Sequence, residues 1–206
     1  MVYFSYNDFM DYMGEYDANI LKETEVIYNK GEDQNYIRDI LKNDEEMQIF
    51  LKNFLNFKCE SKIVYQNNFY IENSVVCKIK DTNIFIFIKV LKNIDNNISY
   101  KMFENLINIM EKVRNSNSIK KYPIIVPIVI YVGNEKWSIG EEKENNKIKY
   151  VTFKENRIDF SYTIIKIQDL EMENLKLLTG NFSKELVKLK NKYLQINQKN
   201  NWLITL

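Results

Sequence analysis

From about residue 35 onward, the apolar positions alternate between helical and strand-like blocks. Between residues 35 and 57 they recur with helical spacing: Tyr36, Ile37, Ile40 and Leu41 form one group, and Met47, Phe50, Leu51, Phe54 and Leu55 another. Each group aligns on one face of a helix. Asn43 followed three residues later by Glu46 reads as a capping box that starts the second helix. The period then shortens. Residues 62–70 carry Ile63, Val64, Tyr65, Phe69 and Tyr70, and residues 74–80 carry Val75, Val76, Cys77 and Ile79. After the turn Asp81-Thr82-Asn83 comes the run Ile84 to Ile88, whose unbroken apolar character predicts a strand covered on both faces. Residues 75–80 and 84–90 are predicted to pair as an antiparallel hairpin. Helical spacing returns at Met102, Phe103, Leu106, Ile107 and Met110 and predicts a crossover helix over 97–113. The run YPIIVPIVIYV at 122–132 is the next strand, predicted to lie beside 84–90 and parallel to it because a helix intervenes. Pro127 within it calls for a bulge or for a position whose N–H side needs no partner.

Gly133-Asn134 breaks that run, and Trp137 shortly after it reads as a core residue. Residues 149–153 and 160–167 read as strands around a turn at 154–156. Ser183 reads as the cap of a last helix carrying Leu186, Leu189, Tyr193 and Ile196, with Lys184, Lys188, Lys190 and Lys192 on a solvated face. Residues 1–32, rich in Tyr, Met and acids, read as an N-terminal extension in which Phe9, Met10 and Met13 form a short apolar face. The expected architecture is one three-layer α/β domain over residues 33–206, a mixed central sheet flanked by helices.

Composition narrows the chemistry more than the fold. Lys and Arg number 29 against 28 Asp and Glu, a net charge of +1, so charge alone does not identify a nucleic-acid binder. The chain contains no histidine. Ser–His and Cys–His nucleophilic catalysis and His-containing zinc sites are thereby excluded. Cys59 and Cys77 form no CxxC pair and fit a reducing cytoplasm as small packed residues. No apolar run approaches the roughly 18–20 residues of a membrane span, and residues 1–17 are too broken by acids to read as a secretory segment. The expectation is a cytoplasmic protein without a membrane association.

Three segments carry a family resemblance: YIRDILKNDEEMQIFLKNFL at 36–55, VVCKIKDTNIFIFIKVLKNIDNNISYKMFENL at 75–106, and YPIIVPIVIYVGNEKW at 122–137. In this order and spacing the chain resembles the recombination-promoting nucleases (YhgA-like transposases), a family similar to the PD-(D/E)XK nucleases. The resemblance implies a restriction-endonuclease-like fold, a mixed sheet flanked by helices, and Mg²⁺-dependent cleavage of DNA. That chemistry uses an Asp on one strand, a Glu on the next, and a Gln or Lys two residues after the Glu. The carboxylates hold the metal, which polarises the phosphoryl oxygen and acidifies the attacking water. In this chain the corresponding positions are Ser74, Lys89 and Leu91, all departures from the pattern. The arginine of the following helix corresponds to Lys101, and Asp95 matches an acidic loop position.

With Ser74 and Lys89 in place of two acids, no metal cofactor is expected, although Mg²⁺ belongs to the family. An ammonium about 4 Å from Mg²⁺ costs about 8 kcal/mol at an effective dielectric near 20, where a carboxylate gains as much. The leading expectation is therefore an inactive nuclease-like protein. It would act in DNA binding through Lys89, Lys92 and Lys101 around the former cleft, or as a homo- or hetero-oligomeric partner of an active relative. Two alternatives stand beside it: an active enzyme with migrated carboxylates such as Glu72, Asp95 and Glu104, or a non-enzymatic structural or decaying paralogue.

Overall fold

A computed structural model describes residues 32–116, 122–139, 141–145, 148–155 and 158–204. The extension expected at 1–32, with Phe9, Met10 and Met13, lies outside these except for Glu32. In chain order the elements are α1 (Glu32–Ile40), α2 (Asp44–Leu55), β1 (Ile63–Tyr65), β2 (Ser74–Ile79), β3 (Ile84–Leu91), α3 (Ile98–Ser116), β4 (Ile124–Tyr131), β5 (Glu141–Asn145), β6 (Ile148–Glu155), β7 (Ile158–Lys166), α4 (Met172–Leu177) and α5 (Asn181–Ile204). The strands form one seven-stranded mixed sheet in the order β1-β2-β3-β4-β7-β6-β5.

The predicted hairpin and crossover are both present. β2 and β3 pair antiparallel from Ser74↔Lys89 to Lys78↔Phe85. β3 and β4 pair parallel over their full length, from Ile84↔Ile124 to Leu91↔Tyr131. Alternation along these strands sorts the core into two layers. Val75, Cys77, Ile79, Ile86, Ile88, Val90, Ile128 and Ile130 face α1, α2 and α5. Val76, Phe85, Phe87, Leu91, Val129 and Tyr131 face α3, meeting Met102, Leu106 and Ile109. Both faces of the sheet are covered, which is why β3 reads as a continuous apolar run. This is a restriction-endonuclease-like arrangement: a helix, a three-strand antiparallel meander, a crossover helix, and a strand parallel to the third. No described helix is long and apolar enough to cross a membrane.

Pro127 sits in β4 without a bulge. The N–H groups of Ile124 and Val132 donate to Asn83 and Leu91 on the β3 side, so odd-numbered positions such as 127 point the other way. On that side pairing with β7 begins only at Ile128. The proline removes no ladder hydrogen bond.

Several expectations need correction. The strand predicted at 62–70 ends at Tyr65, because Asn67 and Asn68 turn the chain and Phe69 N–H closes back on the Gln66 carbonyl. The loop wraps the sheet edge and buries Phe69 on the α3 side, while Ile63 packs on the other. On α3 the buried face runs through Ile98, Met102, Leu106, Ile109 and Val113, and Phe103 turns aside to lie 5.5 Å from Phe160. β5 and α4 went unpredicted. The lysines of α5 divide: Lys184 and Lys188 are exposed. Lys190 instead donates to the carbonyls of Ile167, Gln168 and Leu170, and Lys192 to Asp33.

The second helix starts where the capping signal placed it, with the Asn43 side chain accepting from the N–H groups of Glu45 and Glu46. The reciprocal arm is diverted. Asn43 N–H donates to the Ile40 carbonyl, and the buried Glu46 carboxylate accepts from Asn181 and Phe182 N–H at 2.7 and 3.1 Å. Glu46, not Ser183, caps α5, which begins three residues earlier than a Ser183 cap implies. Gly180 makes the approach feasible: its φ is +96°, and a Cβ there would stand 2.8 Å from Ile49 Cγ2. Phe50, Phe54 and Phe182 pack around the same junction with ring centroids 5.0–5.4 Å apart.

Replacing Glu46 by Ala should cost about 1–3 kcal/mol, since two amide donors at a helix N-terminus, that of Phe182 buried, lose their acceptor. Urea unfolding measures it, with the exposed neighbour Glu45→Ala as control. Equal midpoints for the two variants would show that the inter-helix cap contributes nothing.

Candidate functional site

The three positions that the resemblance implies meet at one end of the sheet. Ser74 opens β2 and Lys89 lies near the end of β3, and the register places them directly opposite each other. Leu91, two residues on, projects from the same face of β3, the face that α3 covers. Asp95 lies in the loop after β3, and Lys101 occupies the first turn of α3. The register thus gathers the positions implied by the resemblance at one end of the sheet, a candidate cleft bounded by the N-terminal end of β2 and the C-terminal end of β3.

Local geometry explains the orientation of each group. Asn73 adopts a left-handed conformation, φ 54°, and turns the chain into β2. The Ser74 hydroxyl closes that turn by donating to the Ile71 carbonyl at 2.6 Å. A carboxylate at this position has no proton for that bond. Lys89 is half-buried, and its Nζ donates to the Glu72 carbonyl at 2.9 Å. Burial lowers its pKa; Glu72 and Asp95 oppose the shift, and Lys101 adds to it. Lys101 Nζ stands 2.8 Å from Asp95 Oδ2. Two ammonium groups and two carboxylates therefore neutralise one another across the cleft.

These residues do not fit a divalent metal. The Ser74 hydroxyl is committed to a carbonyl, Lys89 places a cation where the resemblance implies an acid, and Leu91 is an apolar side chain packed in the α3 layer. Among the described residues no group of three or more Asp, Glu, Cys or His side chains is arranged to hold a metal ion. The alternative acids fare no better. Asp95 is held by Lys101 and by the N–H of Asn97, while Glu72 and Glu104 are exposed.

Lys92 belongs elsewhere. It follows β3 on the opposite pleat, and its Nζ lies 3.6 Å from Asp33 Oδ2, an acid it shares with Lys192 at 3.3 Å. The expected cluster of Lys89, Lys92 and Lys101 thus reduces to Lys89 and Lys101. Strand alternation carries the signal for this, since odd and even positions face opposite ways.

The motif that closes β4 shapes the adjoining wall. Tyr131 and Trp137 are buried edge to face with centroids 4.9 Å apart. Tyr131 folds back over Gly133, where a Cβ would stand 2.4 Å from its hydroxyl and 2.1 Å from the Lys92 carbonyl. Only glycine leaves that space. Lys166, which pairs with Tyr131 across β4 and β7, is buried and donates to the Trp137 carbonyl at 2.5 Å. The composition gave no hint of this buried lysine on the layer that Lys89 faces.

A polar pocket of about 170 Å³ adjoins Ser74 at the sheet edge. Arg38 and Lys42, at and just beyond the end of α1, contribute to its lining, as do Tyr65, Gln66, Asn67, Tyr70 and Glu72. No local pattern along the chain signals this pocket, because its walls come from segments some thirty residues apart.

Fold and cleft together place the protein in the restriction-endonuclease-like class. The chain belongs to the family described as putative transposase, YhgA-like, which matches over residues 33–198. No curated protein and no solved structure matches the chain.

Because its folded-state pKa lies below the ordinary lysine value of 10.5, Lys89 binds protons less readily in the folded chain than in the unfolded one. The penalty on its charged form is complete below the folded pKa. It disappears as pH rises from that value towards 10.5. The stability of wild type relative to Lys89→Met should therefore increase with pH across that window. Denaturant titrations on the alkaline side of neutrality measure this, and a difference that falls with pH would contradict the assignment.

Proposed function

We propose that this chain is a nuclease-fold protein that has lost metal-dependent cleavage and binds DNA without cutting it. One observation carries the proposal: the Lys89 ammonium stands opposite Ser74, tied to the Glu72 carbonyl, where the family pattern has a pair of acids. Two carboxylates at positions 74 and 89 would present a charge of −2 to a metal, whereas Ser74 and Lys89 present +1. Leu91 offers no group to orient water. Metal chemistry is removed by the sign of the charge rather than by a small displacement.

The positive side of the proposal rests on what the cleft keeps. Lys89 and Lys101 remain on the face that a phosphodiester backbone would approach, and phosphate contacts need only positive charge and donors, not a metal. Partial neutralisation by Glu72 and Asp95 makes the expected binding weak, salt-sensitive and indifferent to sequence.

Purified wild type should leave supercoiled plasmid intact with Mg²⁺ or Mn²⁺ while retarding it at low salt. Neutralising Lys89 and Lys101 together should reduce the slope of log affinity against log salt by about one to two, and Lys92→Ala should leave it unchanged. The triple variant Ser74→Asp, Lys89→Glu, Leu91→Gln restores the family pattern. Calorimetry should detect Mg²⁺ binding to the variant and none to wild type. EDTA-sensitive cleavage by wild type, insensitive to substitution of Lys89, would overturn the proposal and make Glu72 the first acid to test.

A further inference from the structure

The pocket beside Ser74 has two walls of different character. Arg38 and Lys42 come from the end of α1. Glu72, Asn73 and Ser74 come from the turn into β2, and Tyr65 to Tyr70 from the loop that wraps the sheet edge. The cations are fixed in advance. Asp39 Oδ1 receives both Arg38 Nε and Lys42 Nζ at 3.0 Å, and Arg38 Nη2 stands 3.0 Å from the same oxygen. Burial tends to raise the Asp39 pKa, but the bonds from Lys42 and Arg38 outweigh it and keep the acid ionised. Arg38 retains its Nη1 group, and Lys42 two of its three donors, without a partner among the described residues.

The aromatic residues of the pocket divide in the same way. Tyr65 spends its hydroxyl on the Leu41 carbonyl and forms part of the wall. Tyr70 is 91% exposed, the most open of the large apolar side chains described. Nothing in the core requires a tyrosine in that position. An exposed ring beside fixed cations and amide groups is the arrangement that stacks a nucleobase and holds its phosphate. The space, about 170 Å³, is below the roughly 300 Å³ at which pockets for larger ligands begin. It suits one base, and a base paired within a duplex cannot enter a concave pocket without leaving its stack.

We infer that the pocket formed by Arg38, Lys42, Asn67, Tyr70 and Glu72 takes one unpaired nucleotide of a DNA strand, its base on Tyr70 and its phosphate towards Arg38 and Lys42. This rests on the DNA-binding function proposed above and specifies it: the protein engages single-stranded ends or flaps in preference to continuous duplex. Glu72 links the two places, since it is among the residues lining the pocket and its carbonyl holds Lys89.

Fluorescence anisotropy with three labelled DNAs tests the inference: a blunt duplex, the same duplex with a short single-stranded overhang, and the overhang strand alone. Wild type should bind the overhang duplex about tenfold more tightly than the blunt one, as expected for one stacked base. Tyr70→Ala should abolish that preference and leave blunt-duplex affinity unchanged. Its exposure makes a folding defect an unsuitable explanation, and circular dichroism of the variant confirms the fold. Arg38→Gln with Lys42→Gln should weaken overhang binding and flatten its salt dependence. Equal binding of blunt and overhang duplexes by wild type, or a preference that survives Tyr70→Ala, would overturn the pocket assignment and leave DNA binding standing. Failure of wild type to bind any of the three DNAs would overturn DNA binding itself, and the pocket assignment with it.

Discussion

The parallel pairing of β3 with β4 is the constraint on which the rest of this structure depends. Eight consecutive residue pairs, Ile84↔Ile124 to Leu91↔Tyr131, fix two strands that are apolar on both faces. Such strands are stable only between two layers of helices, so α3 must cover one side and α1, α2 and α5 the other. Register then transmits to the cleft. With β3 held by β4, the hairpin through Asp81-Thr82-Asn83 sets Ser74 against Lys89. A slip of one residue would turn Lys89 into the helical layer and Val90 towards α3, exchanging a cation for a buried apolar group on both faces. The core thus enforces the position of the lysine, whatever that lysine does.

On the proposed reading, Ser74 and Lys89 stand where the family resemblance implies acids, and that exchange has consequences beyond metal ligation. A vacated metal site with two acids would leave like charges facing each other, which is costly in a half-buried cleft. Here the replacement is internally consistent. Ser74 closes the turn that begins β2, Lys89 bonds to the carbonyl of that turn, and Lys101 with Asp95 balances the charge across the helix start. Cys77, directly across β2–β3 from Ile86, belongs to the same protected interior, and burial pushes its thiol up to about 12.

Much of this was legible in the residues, for reasons that also explain the errors. The β2–β3 hairpin, α3 and β4 announce themselves because burial on both sides demands unbroken apolar strands and a regular helical stripe. β5, read from its sequence EEKEN, offers no apolar pattern; it is a strand by virtue of its pairing with β6. Glu46 has the spacing of a capping-box partner, yet tertiary packing brings α5 within reach, and two N–H groups at its N-terminus outcompete one. The cleft was legible only through the family resemblance, since serine, lysine and leucine carry no catalytic signal of their own. Lys92 was misplaced by counting along the chain without counting the pleat. The Arg38–Tyr70 pocket is assembled from α1 and a wrap-around loop, and no local pattern reports such a meeting.

The account stands on the claim that the Lys89 ammonium, held against the Glu72 carbonyl, occupies the place of the family's metal-binding acid. Crystals of wild type and of the Ser74→Asp, Lys89→Glu, Leu91→Gln variant, soaked in Mn²⁺ and measured for anomalous scattering, test that claim most directly. The account predicts a manganese peak between strands β2 and β3 in the variant. In wild type it predicts no peak there, with Lys89 Nζ still within hydrogen-bond reach of the Glu72 carbonyl. A manganese peak beside Ser74 in wild type, with Lys89 swung away, would contradict it.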